Sequence, residues 1–379
     1  MTLGTTPAFM LDHEFEMFDT TVGRFLDQHA SSDAQARWRH QGCVARTAWE
    51  AAGRAGLLCP SIPVEYGGAG GDFRHDAIII NRFGLAGCEG WGIPLHNAIV
   101  AHYILHYGSE EQRQRWLPRM ATGELIGAIA MTEPGAGSDL RSVKTRLVRD
   151  GNGYRLSGAK TFITNGQLAD LIVVVATADA GHTLVVIETD GLEGFRRGRK
   201  LDKMGLDMGD TSELFFDDVR CEAAQILGST GEGFAQLMAQ LPQERLIIAL
   251  ECVAIMERAL TTTLDYVRER KAFGKAIIDF QNSQFKLAEV KTKAVIAKTF
   301  TNHCIALHMS GNLDGSTASM AKYWCSDTAC EIVDACLQLH GGYGYMDEYP
   351  ISTMYRDVRV KPIYGGTNEI MKMLIARSL

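Results

Sequence analysis

Apolar positions in the first third of the chain recur with the spacing of amphipathic helices. The stretch FEMFDTTVGRFLDQHA places apolar residues three and four positions apart, which is the period of one helix face. A glycine-rich break at Glu65–Phe73 separates two helical groups. Farther along, Ser109 and Gln112 have the spacing of a capping box. We expect residues 1–125 to form a helical domain.

The pattern changes at about residue 126. From there to residue 230, short apolar and β-branched runs such as LIVVVATA alternate with turn residues, which is typical of strands. The segment Arg149–Tyr154 (RDGNGY) predicts a tight hairpin, because Asn and Gly tolerate the positive φ angles of two-residue turns. Residues 126–230 are therefore predicted to form a compact antiparallel β domain.

Long helical patterns return from residue 231 to residue 379. Three extended stretches with apolar stripes are separated by breaks at Gly274 and at SGNLDG, and this indicates a four-helix bundle. The order of helical, β and helical regions differs from the strand–helix alternation of a Rossmann sheet. We expect an α+β chain of three domains: 1–125, 126–230 and 231–379.

Composition excludes several classes of protein. The net charge of −7 argues against a nucleic-acid partner, which normally selects a basic surface. The nine cysteines form no C-x-x-C pair, so we expect reduced thiols and no metal site. No apolar run reaches the ~18 residues of a membrane span. Early acidic residues fit no targeting segment, and a cytoplasmic location is expected.

Ligand-binding features concentrate in turns at the edges of the predicted elements. Glycines in these turns let a backbone approach a ligand closely, and Thr367 is a predicted N-cap of the last helix. Walker A, H-E-x-x-H and G-x-S-x-G patterns are absent, which excludes three common enzyme classes. The turns are IAMTEPGAGSDL, KTFITNG, RKAFGK, QLHGGYGYMDEYP and YGGTNEI.

Four of these motifs carry a resemblance to a known family. MTEPGAGSD, RKAFGK with a following FQ, QLHGGYGYMDEYP and IYGGTNEI stand in the order found in acyl-CoA dehydrogenases, which the chain resembles over nearly its whole length. GRKLDKMGL, LPQERL and SMAKYW make it most similar to the long-chain branch. The resemblance implies an FAD-dependent enzyme that oxidises an acyl-CoA substrate to trans-2-enoyl-CoA. It also implies a homotetramer, with electron-transfer flavoprotein as acceptor.

The position of the catalytic base differs between branches of the family that the chain resembles. Most branches of this family carry a catalytic glutamate at the position of Gly365. In the long-chain and isovaleryl branches the base lies in the LPQERL motif, which matches Glu244. Local pattern alone favours another interpretation, with Pro242 at the first helical position and the acid complementing the helix dipole. The resemblance implies instead that Glu244 takes the Cα proton, while the Gly365 amide contacts the thioester oxygen.

The resemblance also implies contacts with cofactor and substrate. Beside the isoalloxazine it places Ile129, Ala130, Met131, Thr132, Gly137 and Ser138, and against the opposite ring face Phe162, Ile163 and Thr164. For the pyrophosphate or adenosine half, across a subunit interface, it implies Arg270, Phe273, Gln281, Gln338, Leu339, His340, Gly341 and Gly342. Thr367, Asn368 and Glu369 would close the site. The implied substrate contacts are Ser138, Pro242, Gln243, Arg245, Gly365 and Gly366.

Several alternatives stay open. Arg245 is either a substrate contact or a member of a salt bridge. Ala235 and Gln236 stand where long-chain relatives often carry aromatic residues, so the acyl chain length is open. The same chemistry on an acyl carrier protein or a specialised biosynthetic thioester is one alternative function. A non-catalytic flavin- or thioester-binding scaffold is another, favoured by the absent side chain at Gly365.

Overall fold

The computed structural model describes residues 3–4 and 6–379. Its N-terminal region is helical, and α7 begins with the predicted capping box: the Gln112 N–H donates to Ser109 Oγ at 3.2 Å, and the Ser109 N–H donates to Gln112 Oε1 at 2.8 Å. The helices are α1 (His13–His29), α2 (Ser32–Gln41), α3 (Arg46–Arg54), α4 (Phe73–Ala86), α5 (Ile93–Leu95), α6 (Ala101–Tyr107) and α7 (Glu110–Ala121).

One turn of π-helix, His96–Val100, which we call the π-turn, joins α5 to α6. Such a turn adds a residue to the helical repeat, so it rotates the face that the following helix presents. Here the turn directly precedes α6, whose polar and aromatic side chains Tyr103, His106 and Tyr107 lie beside α8. No sequence pattern predicted this device.

The middle region is a seven-stranded sheet in the order β1-β4-β2-β3-β7-β6, with β5 paired to β4. The predicted hairpin joins β2 to β3, where Asp150 pairs with Gly153. Most pairings are antiparallel as expected, but β1 and β2 both run parallel to β4. The strands are β1 (Gly127–Ala130), β2 (Arg146–Asp150), β3 (Gly153–Thr164), β4 (Leu171–Ala178), β5 (Gly181–Glu188), β6 (Phe195–Lys200) and β7 (Thr211–Glu222).

The C-terminal region is a helical bundle built on three long helices. These pack through one apolar core, and the shorter helices α11 and α12 pack against α10. Thr367 caps α12 as predicted, its Oγ accepting from the Ile370 N–H at 3.4 Å. The elements are α8 (Gly233–Glu269), β8 (Lys271–Ala272), β9 (Lys275–Ala276), α9 (Gln281–Met309), α10 (Gly315–His340), α11 (Pro350–Val358) and α12 (Asn368–Ala376).

Helix α8 links the three regions. It packs against α4 and α6 of the first region, against β5 of the second, and against α9 and α10 of the third. Its central residues are therefore enclosed on several sides, which places any polar group on them in a desolvated environment. Among the described residues, no helix is long and apolar enough to cross a membrane.

Candidate active site

Glu244 lies in the interior where α8 passes α6. The residue is 8 % exposed, and its Oε1 accepts a hydrogen bond of 2.9 Å from the Tyr103 hydroxyl. Burial raises the pKa of Glu244 to about 7, against the opposing effects of the Tyr103 hydrogen bond and the Arg245 charge. A carboxyl group with a pKa near neutrality can hold or release a proton at physiological pH, as a general base requires.

The beginning of α8 differs from the local sequence interpretation. The helix starts at Gly233 rather than at Pro242, so at ~1.5 Å per residue Glu244 lies roughly 16 Å from its first residue. The helix dipole acts within the first turn, and the interpretation of Glu244 as a dipole-complementing acid is wrong. Pro242 lies inside the helix, where its missing N–H leaves the Met238 carbonyl without its usual donor.

Gly365 faces the same side of α8 as Glu244. Its φ is +62°, a left-handed conformation that glycine adopts without steric cost. A Cβ at this position would lie 2.2 Å from Ile248 Cδ1, so Ile248 occupies the space that a side chain would need. Because Ile248 follows Glu244 by one helical turn, the two share a helix face. The buried carboxylate and the glycine therefore belong to one site.

A buried lysine holds the chain just before Gly365. The Lys361 ammonium donates to Glu251 Oε2 at 2.6 Å and to the Tyr364 hydroxyl at 2.7 Å. Tyr364 donates in turn to the same carboxylate oxygen at 2.9 Å. Burial lowers the pKa of Lys361, but the Glu251 carboxylate and the other neighbouring groups together more than offset burial, and the pKa is raised well above its usual value. The network ties the glycine loop to α8.

A second buried lysine holds the other side of the loop. Lys322 of α10 donates to Gly366 O at 2.7 Å and to Asn368 Oδ1 at 2.9 Å. The Asn368 amide nitrogen donates to Asp327 at 2.6 Å. Asn368 therefore uses its amide within the protein, a structural role that the resemblance did not imply, while Glu369 beside it is exposed.

The end of β1 and a bulge in β3 form a second part of the site. The Thr161 N–H donates to Thr132 O at 2.9 Å, and Lys160 donates to Met131 O at 2.9 Å. The β3–β7 register shifts between Lys160 and Ile163, and there Phe162 has a φ of +59° and is 67 % exposed. The bulge presents the Phe162 ring to solvent, where a planar ligand can stack on it.

A cavity of about 720 Å³ lies where α8 and α10 end. Arg270 stands at its edge over the Tyr343 ring, 5.3 Å from the centroid. A Cβ at Gly341 or Gly342 would meet nothing within 4 Å, so both glycines face open space. Six of the expected cofactor contacts line this cavity together: Arg270, Gln338, Leu339, His340, Gly341 and Gly342.

The remaining expected residues are more scattered. Phe273 is 96 % exposed at the turn between β8 and β9, and Gln281 is exposed at the start of α9; neither lines the cavity. Gly137 and Ser138 are exposed in the loop after β1. Their assignment to the cofactor and substrate stays a prediction.

Two of the expected substrate contacts, Gln243 and Arg245, form hydrogen bonds with other groups of the protein. The Gln243 amide donates to Ala98 O of the π-turn at 2.6 Å. Arg245 donates to Ser319 Oγ at 3.2 Å and lies 3.4 Å from Gly315 O. The Arg245 Nε has no partner among the described residues, so one donor of this buried guanidinium is left for a ligand or a neighbouring subunit.

Residues of α6 were missed by sequence reasoning. Tyr103 contacts Glu244, while His106 and Tyr107 contact Gln240, one turn earlier on α8. The spacing of Tyr103 and Tyr107 puts both on one helix face. Polar groups on one face of an otherwise apolar helix were the sequence signal that could have indicated a site here.

The two cofactor-related parts suit a flavin nucleotide. The exposed Phe162 ring offers a stacking surface, and Arg270 beside an open glycine turn offers a cation and close backbone approach to a pyrophosphate. No group of His, Cys, Asp or Glu side chains within residues 3–4 and 6–379 could hold a metal ion. The helical–β–helical fold, the exposed ring and the Arg270 cavity together indicate a flavin-dependent oxidoreductase.

Comparisons with known proteins give the family. Models of the N-terminal, middle and C-terminal domains of acyl-CoA dehydrogenase match residues 12–124, 128–219 and 231–379. The long-chain specific acyl-CoA dehydrogenase of Sus scrofa is 47 % identical over 373 residues, covering 97 % of this chain and 86 % of that protein. The chain belongs to the acyl-CoA dehydrogenase family, and it is an FAD-dependent oxidoreductase.

Solved structures agree with this assignment. An acyl-CoA dehydrogenase from Geobacillus kaustophilus is 45 % identical with a TM-score of 0.96, covering 98 % of this chain and 99 % of that chain. A glutaryl-CoA dehydrogenase from Mycobacterium smegmatis, solved in complex with FADH2, is 28 % identical with a TM-score of 0.92, covering 98 % and 95 %. The predicted helical–β–helical fold and the FAD cofactor are confirmed.

Proposed function

We propose that this chain oxidises an acyl-CoA thioester to the trans-2-enoyl-CoA, with Glu244 as the base that removes the Cα proton. The observation that carries the proposal is the buried Glu244 carboxylate on the helix face that Gly365 approaches. Burial of an ionisable group costs free energy, and a role of Glu244 as the base accounts for a desolvated carboxyl group at this point.

Proton removal follows from the environment of Glu244. A pKa raised to about 7 by burial makes its carboxylate a stronger base than an exposed glutamate, while enough of it stays deprotonated near neutral pH. The Tyr103 hydroxyl holds Oε1, which leaves Oε2 free to face the Cα–H bond. Enclosure by α6 and α8 excludes water from the transfer.

The developing negative charge on the thioester oxygen needs a donor. Gly365 lies outside the helices and strands, and its N–H donates to no backbone acceptor among the described residues. The two buried lysines hold the loop that carries this N–H. We assign this N–H to the thioester oxygen; a single preorganised donor of this kind contributes about 3–4 kcal/mol elsewhere. FAD, when bound, supplies the acceptor for the hydride that leaves Cβ.

The cofactor contacts are proposed on the same basis. The end of β1 with the Phe162 bulge would hold the ring system, and the cavity with Arg270 would hold the nucleotide half of a flavin from a second subunit. A homotetramer, an electron-transfer flavoprotein partner, a cytoplasmic location and the three domain boundaries are further proposals. Sedimentation tests the tetramer, and reconstituted electron transfer tests the partner. Cell fractionation tests the location, and limited proteolysis tests the domain boundaries.

The experiment compares Glu244→Gln with Glu257→Gln. Both residues are buried on α8, but only the first lies at the proposed site. Each purified flavoprotein is mixed anaerobically with a panel of acyl-CoA and acyl carrier protein esters while flavin absorbance is followed. We expect Glu244→Gln to retain FAD and to slow bleaching by about 100-fold or more, and Glu257→Gln to bleach normally.

Equal bleaching by both variants refutes Glu244 as the base. A wild-type protein that bleaches only with carrier-protein esters supports the alternative substrate class. One that binds FAD but bleaches with none of these esters supports the scaffold.

A further inference from the structure

Polar side chains extend from Glu244 toward the start of α8. Gln236, Gln240, Glu244 and Ile248 follow one another at four-residue intervals, which places them on one inclined stripe of the helix. The stripe begins beside Gly365, since Ile248 occupies the space next to that glycine. With its Cα at Glu244 and its thioester oxygen at Gly365, an acyl chain that follows this stripe would reach Gln240 and then Gln236.

Gln240 is the first polar group beyond the base. Its amide nitrogen lies 3.0 Å from His106 Nδ1 and 3.1 Å from the Tyr107 hydroxyl. The Tyr107 hydroxyl also lies 3.3 Å from Gln236 O. A purely hydrocarbon pocket would have apolar side chains here, as the core of α8 has farther along its length.

Gln236 has a buried acceptor without a partner. The residue is 5 % exposed, and its amide nitrogen donates to Leu227 O at 3.0 Å. Because the partner is a carbonyl, the nitrogen must face it, which fixes the oxygen on the opposite side. That oxygen, Oε1, is buried and finds no hydrogen-bond partner within the described residues. Such an orphan acceptor is costly unless a ligand or an ordered water supplies a donor.

We propose that the acyl group oxidised by this protein carries a hydroxyl far from the thioester, and that Gln236 Oε1 accepts its hydrogen bond. The inference rests on the proposed function, because it uses Glu244 and Gly365 to set the position of the thioester. A carboxylate at this point is disfavoured, since it would oppose the lone pairs of Oε1 and the Glu232 carboxylate, which lies with the Gln236 amide beside Gly228.

Helix geometry sets the length of this acyl group. At ~1.5 Å per residue, Gln236 lies about 12 Å from Glu244 along the axis. An extended hydrocarbon chain with bonds of about 1.5 Å advances by roughly 1.25 Å per carbon. The hydroxyl therefore belongs about ten carbons beyond Cα, near the twelfth carbon of the acyl group.

The test compares dodecanoyl-CoA with 12-hydroxydodecanoyl-CoA on the holoenzyme, on Gln236→Leu and on the control Gln28→Leu, an exposed residue of α1. The ratio of kcat/KM for the two esters is measured by anaerobic flavin reduction. We expect wild type and control to prefer the hydroxylated ester by about tenfold or more. Gln236→Leu is expected to lose or reverse the preference. A general loss of activity from the broken Leu227 contact cancels in this ratio.

Binding to the Glu244→Gln holoenzyme keeps the inference separate from turnover. Titration of flavin absorbance gives a Kd for each ester without chemistry, with Gln236→Leu added in the same background. Tighter binding of the hydroxylated ester that Gln236→Leu abolishes supports the site even if no ester is turned over, in which case the proposed function alone fails. Equal Kd values, or a preference that Gln236→Leu leaves intact, overturn the inference.

Discussion

Replacement of Tyr103 by phenylalanine tests how the protein sets the basicity of Glu244. The change removes the hydroxyl that donates to Glu244 Oε1 at 2.9 Å and keeps the ring that fills the core. A hydrogen bond to a charged group contributes about 1.5–3 kcal/mol, and one pKa unit corresponds to about 1.4 kcal/mol. Since this bond lowers the pKa of Glu244 from the value that burial alone would give, its loss should raise the pKa by about 1–2 units.

The assay is kcat/KM from anaerobic flavin reduction between pH 5.5 and 10. The limb on which activity rises with pH reports deprotonation of the base in the free enzyme, so in Tyr103→Phe this limb should move to higher pH by the same amount. The control is Tyr66→Phe, which loses a hydrogen bond of 2.8 Å to Glu110 at an exposed site and should leave the profile unchanged. An unmoved or acid-shifted limb in Tyr103→Phe would show that the hydroxyl does not stabilise the carboxylate.

Three further substitutions probe other parts of the site. Gly365→Ala should slow flavin reduction by about tenfold or more, because a Cβ would lie 2.2 Å from Ile248 Cδ1 at a φ of +62°; adding Ile248→Val, which removes that methyl, should restore part of the rate, and no restoration would contradict the steric argument. Phe162→Ala should weaken FAD binding by roughly 2- to 12-fold through loss of about 0.5–1.5 kcal/mol of stacking, seen as a lower flavin-to-protein ratio that Phe162→Trp does not show. Lys361→Met should lower the free energy of unfolding by about 3–5 kcal/mol by leaving the Glu251 charge unpaired; urea titration measures this, and adding Glu251→Leu should recover much of the loss if the unpaired charge is the cause.

Local patterns predicted the local structure well. The capping box at Ser109, the hairpin at Arg149–Tyr154 and the N-cap at Thr367 are all present, because each depends on residues within a few positions of one another. The start of α8 was misplaced for the opposite reason. Pro242 is a local start signal for a helix, but in the folded chain the helix begins nine residues earlier, at Gly233.

The contacts around the base lay beyond sequence reasoning. Tyr103 and Glu244 are 141 positions apart, and no periodicity in either segment encodes their meeting. The π-turn at His96–Val100 sets the rotation of α6, and the parallel pairing of β1 with β4 follows from the topology of the whole sheet. Motifs indicated which loops matter. The roles assigned to the site residues, the subunit arrangement and the domain boundaries stay predictions.

Helix α8 runs for 37 residues without interruption, from Gly233 to Glu269. The candidate hydroxyl acceptor, the base and the residues leading to Arg270 therefore lie on one continuous helix, which fixes the distances between them. Insertion of a single residue between Gln236 and Glu244 would turn one against the other by about 100°, and a deletion would do the reverse. In lineages that keep this reaction, new acyl preferences should arise by substitution of side chains along α8, without insertions or deletions in the helix.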